Sequence, residues 1–216
     1  MNPVDAMCGS GPIVLGLPHT GTYLPDDIAH CLNENGRKLA DTDWYIDQLY
    51  DGVIPNLTTV KANFQRYVVD ANHDLTGASL YPGQNTTTLV PLSDFDGNNI
   101  WETPPTDADT LQRRETFHTH YHAALQTELK RVRDLHGVAI LYDCHSIRSV
   151  ISFLFDDTLS DFNIGTNMGA TCSAKIEAAT TAICKASDYT TTINGRFKGG
   201  WTTRNYGKPY NNIHAI

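Results

Sequence analysis

Ile13-Val14-Leu15-Gly16-Leu17-Pro18-His19-Thr20-Gly21 is a short apolar run, rich in branched residues, that stops at a proline and turns polar at a histidine. Such a run, followed by turn-forming residues up to Pro25, predicts a buried strand ending in a loop. A second stretch repeats the plan, with Val138 to Tyr142 running into Asp143-Cys144-His145-Ser146. Strands of this kind alternating with helical stretches predict an α/β domain, with a mixed sheet in three layers.

Working outward from these runs, Leu39, Ile46, Leu49, Tyr50 and Val53 recur at helical spacing. They predict an amphipathic helix over residues 39–53, with Asp41 as its N-cap and Gly52 and Pro55 as its stop. Residues 58–69 predict one or two β segments, with Phe64, Arg66 and Val68 on one face and Tyr67 and Val69 on the other. Residues 76–109, rich in Gly, Pro, Asn, Asp and Thr, are too long for a simple connector and read as a functional excursion. Residues 109–136 predict the clearest helix, carried by Leu111, Leu125, Leu129 and Val132 and ended by Gly137. Residues 170–186 predict another helix, and Tyr189 to Ile193 a strand.

A length of 216 residues suits one domain, 1–216, that buries its core without disulfides. Twenty-four acidic against 16 basic residues give a net charge of −8, which offers no broad basic surface for nucleic acid or anionic lipid. No apolar run is long enough to span a membrane, and the first residues lack the pattern of a secretory signal. The five cysteines are widely spaced and form no C-x-x-C pair, which fits reduced thiols and a cytoplasmic setting. Nothing in the sequence sets the oligomeric state.

In open α/β sheets ligands bind beyond the carboxyl ends of strands, so His19 and His145 can face one crevice. A lone histidine there is more often a packed or solvated residue, but two at equivalent strand ends point to a metal. Imidazoles suit zinc, and a catalytic zinc commonly takes a third protein donor. Asp43, three residues before Ile46 on the apolar face of the predicted helix, is the candidate. A first-turn carboxylate interacting with the helix dipole is an equally weighted alternative, and Asp41 could exchange roles with it. Asp143 is placed to accept from His145 and orient it.

The segment from Asn194 to Arg204 gathers three cations among glycines. Arg196 and Arg204 are candidate carboxylate clamps, with Lys198 as a point charge; the alternative is a solvated hairpin. Ser146 lacks the G-x-S-x-G surroundings of a serine nucleophile. His118, His120 and His122 alternate on a predicted helix, where i and i+2 side chains diverge; they read as surface or packing residues, with His122 the one to watch.

Six segments then fall in order along the chain: Pro18-His19-x-Gly21, Asp41-Thr42-Asp43-Trp44, Arg66-Tyr67-Val68-Val69-Asp70-x-Asn72, residues 81–87, Asp143-Cys144-His145-Ser146-Ile147-Arg148-Ser149, and Asn194 to Gly200. In this order and spacing the chain resembles the N-formylglutamate amidohydrolase family. The resemblance implies a fold similar to zinc carboxypeptidases and aspartoacylases, phosphorylase/hydrolase-like, with a divalent metal, zinc or a similar ion, on His19, Asp43 and His145. It implies hydrolysis of N-formyl-L-glutamate to formate and L-glutamate in histidine degradation, the partner being a small N-acyl amino acid with carboxylates. Arg148 or Asn72 would stabilise the oxyanion, while Arg66, Arg196, Arg204 and Lys198 would hold the carboxylates.

Two departures shape the expectation. His73 stands where the related aspartoacylase segment Asp-x-Asn-Arg has arginine, which removes a permanently charged fork. The sequence reaches Ile216 where the family usually continues into a Gln-x-Glu segment and a final helix, so a C-terminal truncation is expected, without the usual catalytic glutamate. A catalytically impaired carboxylate-binding homologue, or a hydrolase of another N-acyl amino acid, are the alternatives.

Overall fold

The computed structural model describes residues 1–78 and 86–216, so most of the 81–87 motif lies outside the described residues. The strands are β1 (Val4–Met7), β2 (Ile13–Leu17), β3 (Thr58–Ala62), β4 (Ala139–Asp143), β5 (Phe162–Ile164), β6 (Thr191–Ile193) and β7 (Ile213–Ala215). Five of them form one sheet in the order β1-β3-β2-β4-β7, while β5 and β6 pair separately. Only β1 runs antiparallel to its neighbour; β2 lies parallel to both β3 and β4, and β4 parallel to β7. The sheet is therefore mixed, as expected, and mostly parallel.

Helices flank this sheet, which is why β2 and β4 read as apolar runs and not as alternating patterns. Val14, Val60, Ala62, Ala139, Leu141 and Ala215 pack with Tyr121, Leu125, Leu129 and Val132 in one cluster. These last four belong to α4 (Thr119–His136), and burying Leu125, Leu129 and Val132 stabilises the fold by roughly 1.5–3 kcal/mol each. On the opposite face Leu15, Leu17, Leu57 and Cys144 pack with Ile46 of α2 (Ile46–Tyr50). There the Tyr142 hydroxyl also meets Thr180 of α5 (Ala174–Lys185) at 3.0 Å.

The long helical stretch begins two residues earlier than expected, as α3 (Asp107–Arg113). Thr106 Oγ1 accepts from Asp109 N at 3.2 Å and Asp109 Oδ2 accepts from Thr106 N at 2.8 Å, a reciprocal capping box. A π-helical turn, Arg114–His118, joins α3 to α4, and Gly137 closes the run with φ 73°. Leu111, expected to help bury this helix, is exposed.

Two expectations fail. Residues 39–53 do not form one amphipathic helix, because Leu39 (φ 53°) and Tyr45 (φ 63°) adopt left-handed backbone and leave only α2. Asp41 caps no helix; its carboxylate accepts the Phe95 N–H at 3.0 Å. Residues 66–68 form a turn after β3, and 66–69 are buried on both of the faces assigned to them, so the residues that looked alternating belong to a buried bend. The remaining elements are α1 (Asp26–Cys31), α6 (Trp201–Tyr206) and two short 3-10 turns.

Candidate metal centre

β2 and β4 lie side by side with Gly16 opposite Asp143, so both chains leave the sheet at the same edge. Cys144 N donates to Gly16 O at 2.9 Å, which carries the pairing one step further and delivers His145 beside the residues that follow β2. His19 is held there by its own carbonyl, which accepts Asp43 N at 3.0 Å. Gly21 lets this loop press on the end of β3: a Cβ there would stand 2.4 Å from Asn63 C and 2.5 Å from Ala62 O. The Pro-His-x-Gly pattern thus has a steric reason at its glycine.

Three side chains converge. His19 Nδ1 lies 3.2 Å from His145 Nδ1, Asp43 Oδ2 lies 3.1 Å from His145 Nδ1, and Asp43 Oδ2 lies 3.7 Å from His19 Nδ1. Asp43 reaches the centre from the loop ahead of α2, not from the helix face expected for it. Its side chain and that of His19 are 2% and 3% exposed, whereas His145 is 31% exposed, so the centre opens to solvent on the His145 side.

The outward nitrogen of each imidazole faces a carboxylate. His19 Nε2 lies 2.8 Å from Asp70 Oδ1, and Arg66 Nη2 donates to Asp70 Oδ2 at 2.7 Å. His145 Nε2 lies 3.2 Å from Asp143 Oδ2 and 3.1 Å from Asn72 Nδ2. A carboxylate only accepts, so an Nε2 proton shared with it leaves the Nδ1 lone pair directed inward. Burial works to raise Asp70, but the charges of Arg66 and His19 outweigh it and hold the carboxyl well below the usual range. Burial likewise opposes ionisation of Asp43, and the hydrogen bonds from His145 and His19 overcome it, so this carboxyl also stays low. For His145 desolvation favours the neutral ring, yet Asp143 and Asp43 prevail and lift it to about 10, so without a cation Nδ1 carries a proton toward Asp43, and a cation bound there takes that proton's place.

The chemistry of this donor set fits a divalent cation. Two imidazole nitrogens and one carboxylate oxygen are a common zinc set, and zinc–ligand bonds of about 2.0–2.1 Å at tetrahedral angles separate donors by roughly 3.3 Å. Ligand atoms of His19, Asp43 and His145 all lie within 4.8 Å of one another.

The other expected residues are dispersed. Arg66 is buried, turned toward Asp70 and toward Asp41 O at 3.4 Å. Arg148 is half-exposed and pairs with Asp96 at 2.8 Å. In the loop joining β6 to α6, Arg196 donates to Leu154 O at 3.1 Å and Lys198 O accepts from Asn167 N, while Arg204, within α6, donates from Nε to Gly199 O at 2.9 Å. That loop supports Asn72, whose Oδ1 accepts Thr202 N at 2.8 Å and whose amide packs so closely on Gly200 that a Cβ there would lie 2.4 Å from Nδ2. Asp70 as the partner of His19 escaped sequence reasoning, since 51 residues separate them. His73, where an arginine was expected, places Nδ1 at 3.1 Å from Asp74 O and Nε2 at 3.0 Å from Thr87 O.

Fold and site together define an α/β protein with a candidate divalent-metal centre beyond the carboxyl ends of a mostly parallel sheet. The profile of the N-formylglutamate amidohydrolase family matches residues 11–216, and the chain belongs to that family. It is 40% identical over 212 residues to N-formylglutamate deformylase of Pseudomonas aeruginosa strain PAO1, a match spanning 96% of this chain and 79% of that protein. The N-formylglutamate deformylase of Pseudomonas putida matches at the same identity and coverage. The crystal structure of N-formylglutamate amidohydrolase from Ralstonia eutropha JMP134 shares the fold, with a TM-score of 0.83 at 23% identity over 100% of this chain and 84% of that one. The gene product Atu2144 from Agrobacterium tumefaciens does so with a TM-score of 0.74 at 15% identity, over 99% of this chain and 82% of that one.

Proposed function

We propose that this chain is a metal-dependent amidohydrolase that cleaves N-formyl-L-glutamate to formate and L-glutamate. The observation that carries the proposal is the convergence of His19 Nδ1, Asp43 Oδ2 and His145 Nδ1, with a carboxylate behind each imidazole. The names of the 40%-identical relatives supply the substrate. A divalent ion held by these three donors, zinc in this reading, supplies Lewis acidity that polarises the formyl carbonyl and makes water more acidic.

The chain's own residues provide the rest. Asp70 and Asp143 retain the Nε2 protons of His19 and His145 and so fix both rings. Arg66 acts through Asp70, whose charge it keeps in place. Asn72, its carbonyl oxygen tied to Thr202, sets its amide nitrogen beside the His145 ring, whose Nε2 donates its proton to Asp143 and accepts nothing from the amide, so the Asn72 N–H groups serve as donors for the oxyanion, with Arg148 as a second. Arg196 and Lys198 on the loop behind Asn72, with Arg204 on α6 beyond it, bind the glutamate carboxylates. The location of the centre supports the likeness to zinc carboxypeptidases and aspartoacylases. The five cysteines are all free, which supports a cytoplasmic setting, and a place in histidine degradation follows from the family resemblance.

One observation favours a second reading, a carboxylate-binding homologue with weak turnover. His73 directs both ring nitrogens at backbone carbonyls, so it offers a carboxylate no fork. Formate release from N-formyl-L-glutamate, measured after chelation and again after adding zinc, tests the first reading, which requires release that follows the metal. Calorimetric binding of N-formyl-L-glutamate without formate release would select the second.

A further inference from the structure

His118 and His122 stand four residues apart across the junction between the π turn and α4, with ring centroids 4.3 Å apart. Both are buried. His122 Nε2 lies 2.7 Å from Ala71 O, and His118 Nε2 lies 3.0 Å from His73 O. These two carbonyls belong to the residues on either side of Asn72. A carbonyl only accepts, so each Nε2 carries the proton, and His122 Nδ1 is left as an acceptor 3.0 Å from the Tyr206 hydroxyl, whose one proton it shares with His122 O at 3.2 Å. Burial, followed by the neighbouring His118, pushes His122 down to about 3, in keeping with a neutral ring in this role.

The same turn is gripped from the other side by α6. Trp201 stands edge-on to His122 with centroids 4.8 Å apart, and its Nε1 donates to Asp74 Oδ2 at 2.9 Å. Thr202 N holds Asn72 Oδ1. Within the turn, Asn72 N donates to Asp70 Oδ1 at 2.8 Å, the oxygen that also faces His19. A shift of the turn would therefore move Asp70 off His19 and Asn72 off His145 together.

We infer that His118 and His122 are positioning residues for the metal centre, which peg the carbonyls of Ala71 and His73 and thereby hold Asp70 against His19 and Asn72 against His145. The inference rests on the metal-dependent reading above. It extends that reading to a pair of side chains that touch neither the cation donors nor, in that reading, the substrate.

The test is zinc affinity of the full chain, measured by competition with a chromophoric chelator well below the melting temperature, beside a thermal melt. His122→Leu removes the donor, and His122→Gln returns an N–H at the place of Nε2. His118→Leu and His118→Gln form the parallel pair. We expect each leucine variant to bind zinc about 10- to 100-fold more weakly, the range seen when groups that orient metal ligands are lost. Each glutamine variant should recover to within a few-fold of the parent. Leucine variants that fold and bind like the parent, or glutamine variants as weak as leucine, overturn the positioning role. Failure of both leucine variants to fold overturns it as well, since the pair would then serve the core. A parent chain that takes up no divalent ion refutes the hydrolase reading itself, an outcome separate from equal affinities across the series.

Discussion

His19 Nδ1 and His145 Nδ1 face each other at 3.2 Å from the ends of adjacent parallel strands. Two lone pairs cannot be aimed at each other at that distance without something positive between them, either a proton or a cation. Asp43 Oδ2 closes the third side of the same space, and Asp70 and Asp143 occupy the outward nitrogens. The arrangement concentrates three carboxylates around two imidazoles with only the Arg66 guanidinium against them, an excess of two negative charges that a divalent ion balances and a single proton does not.

Removing one donor should empty the centre without unfolding the chain. His145 sits in a loop at the solvent side, and its loss leaves the sheet clusters intact. His145→Ala is expected to lose bound metal and formate release while its circular dichroism spectrum stays that of the parent. Unchanged metal content by elemental analysis would remove His145 from the donor set.

Asp70→Asn probes a group behind the centre. The substitution keeps the shape and removes the charge that His19 and Arg66 share, leaving a buried guanidinium unpaired. Breaking a buried pair in this way costs about 3–5 kcal/mol, and loss of the imidazole partner costs about 10- to 100-fold in metal affinity. Urea melts and zinc titration of the variant measure both. A variant as stable as the parent would show that the Arg66–Asp70 pair contributes nothing net.

Much of this was legible in the sequence, for identifiable reasons. β2 has the bounds its apolar run announced, because a strand buried on both faces leaves no alternation to misread and Pro18 marks its end; β4 is shifted by one residue. The inward turn of Asp43 has a different origin from the one its spacing suggests: it points inward from a loop, since the left-handed residues Leu39 and Tyr45 interrupt the helix implied by the apolar spacing. Residues 66–69 misled because the bend they form is buried throughout, so any alternation within them carried no information about a strand. The i, i+2 spacing of the histidine trio obscures the i, i+4 pairing of His118 with His122, and its carbonyl partners in the 70–73 turn have no local signal. Contacts such as His19 with Asp70 depend on the order of strands in the sheet, which residue spacing does not encode.

Gly21 and Gly11 offer a matched pair of substitutions in and before the same strand-loop unit. A Cβ at Gly21 meets backbone atoms of Ala62 and Asn63 within 2.5 Å, and backbone cannot give way as a side-chain tip can. At Gly11 nothing lies within 4 Å. Gly21→Ala is expected to cost about 1–3 kcal/mol or more, as forced overpacking does, and to weaken zinc binding by moving His19. Gly11→Ala should leave the melting temperature within a degree or two. Equal melting temperatures for the two variants would contradict the close approach of the His19 loop to β3.

His122 should make the fold sensitive to acid, and the sign follows from its burial. An unfolded histidine titrates near 6.5, whereas burial and the neighbouring His118 push the native side chain down to about 3. Above pH 6.5 both states are neutral and the contribution is fully present. As pH falls below 6.5 the unfolded chain takes up a proton that the native chain refuses, so stability drops by up to about 1.4 kcal/mol per pH unit until the native ring also titrates. The buried carboxylates Asp43 and Asp70 add their own losses at lower pH, so the His122 part is read as a difference between variants. Urea melts of the parent and of His122→Gln at pH 7, 6, 5 and 4 should show a shallower decline for the variant between pH 6 and 4, by close to one proton. Parallel declines would mean that His122 takes its proton in the native state as readily as in the unfolded one, and that its ring is not held neutral between Ala71 and Tyr206.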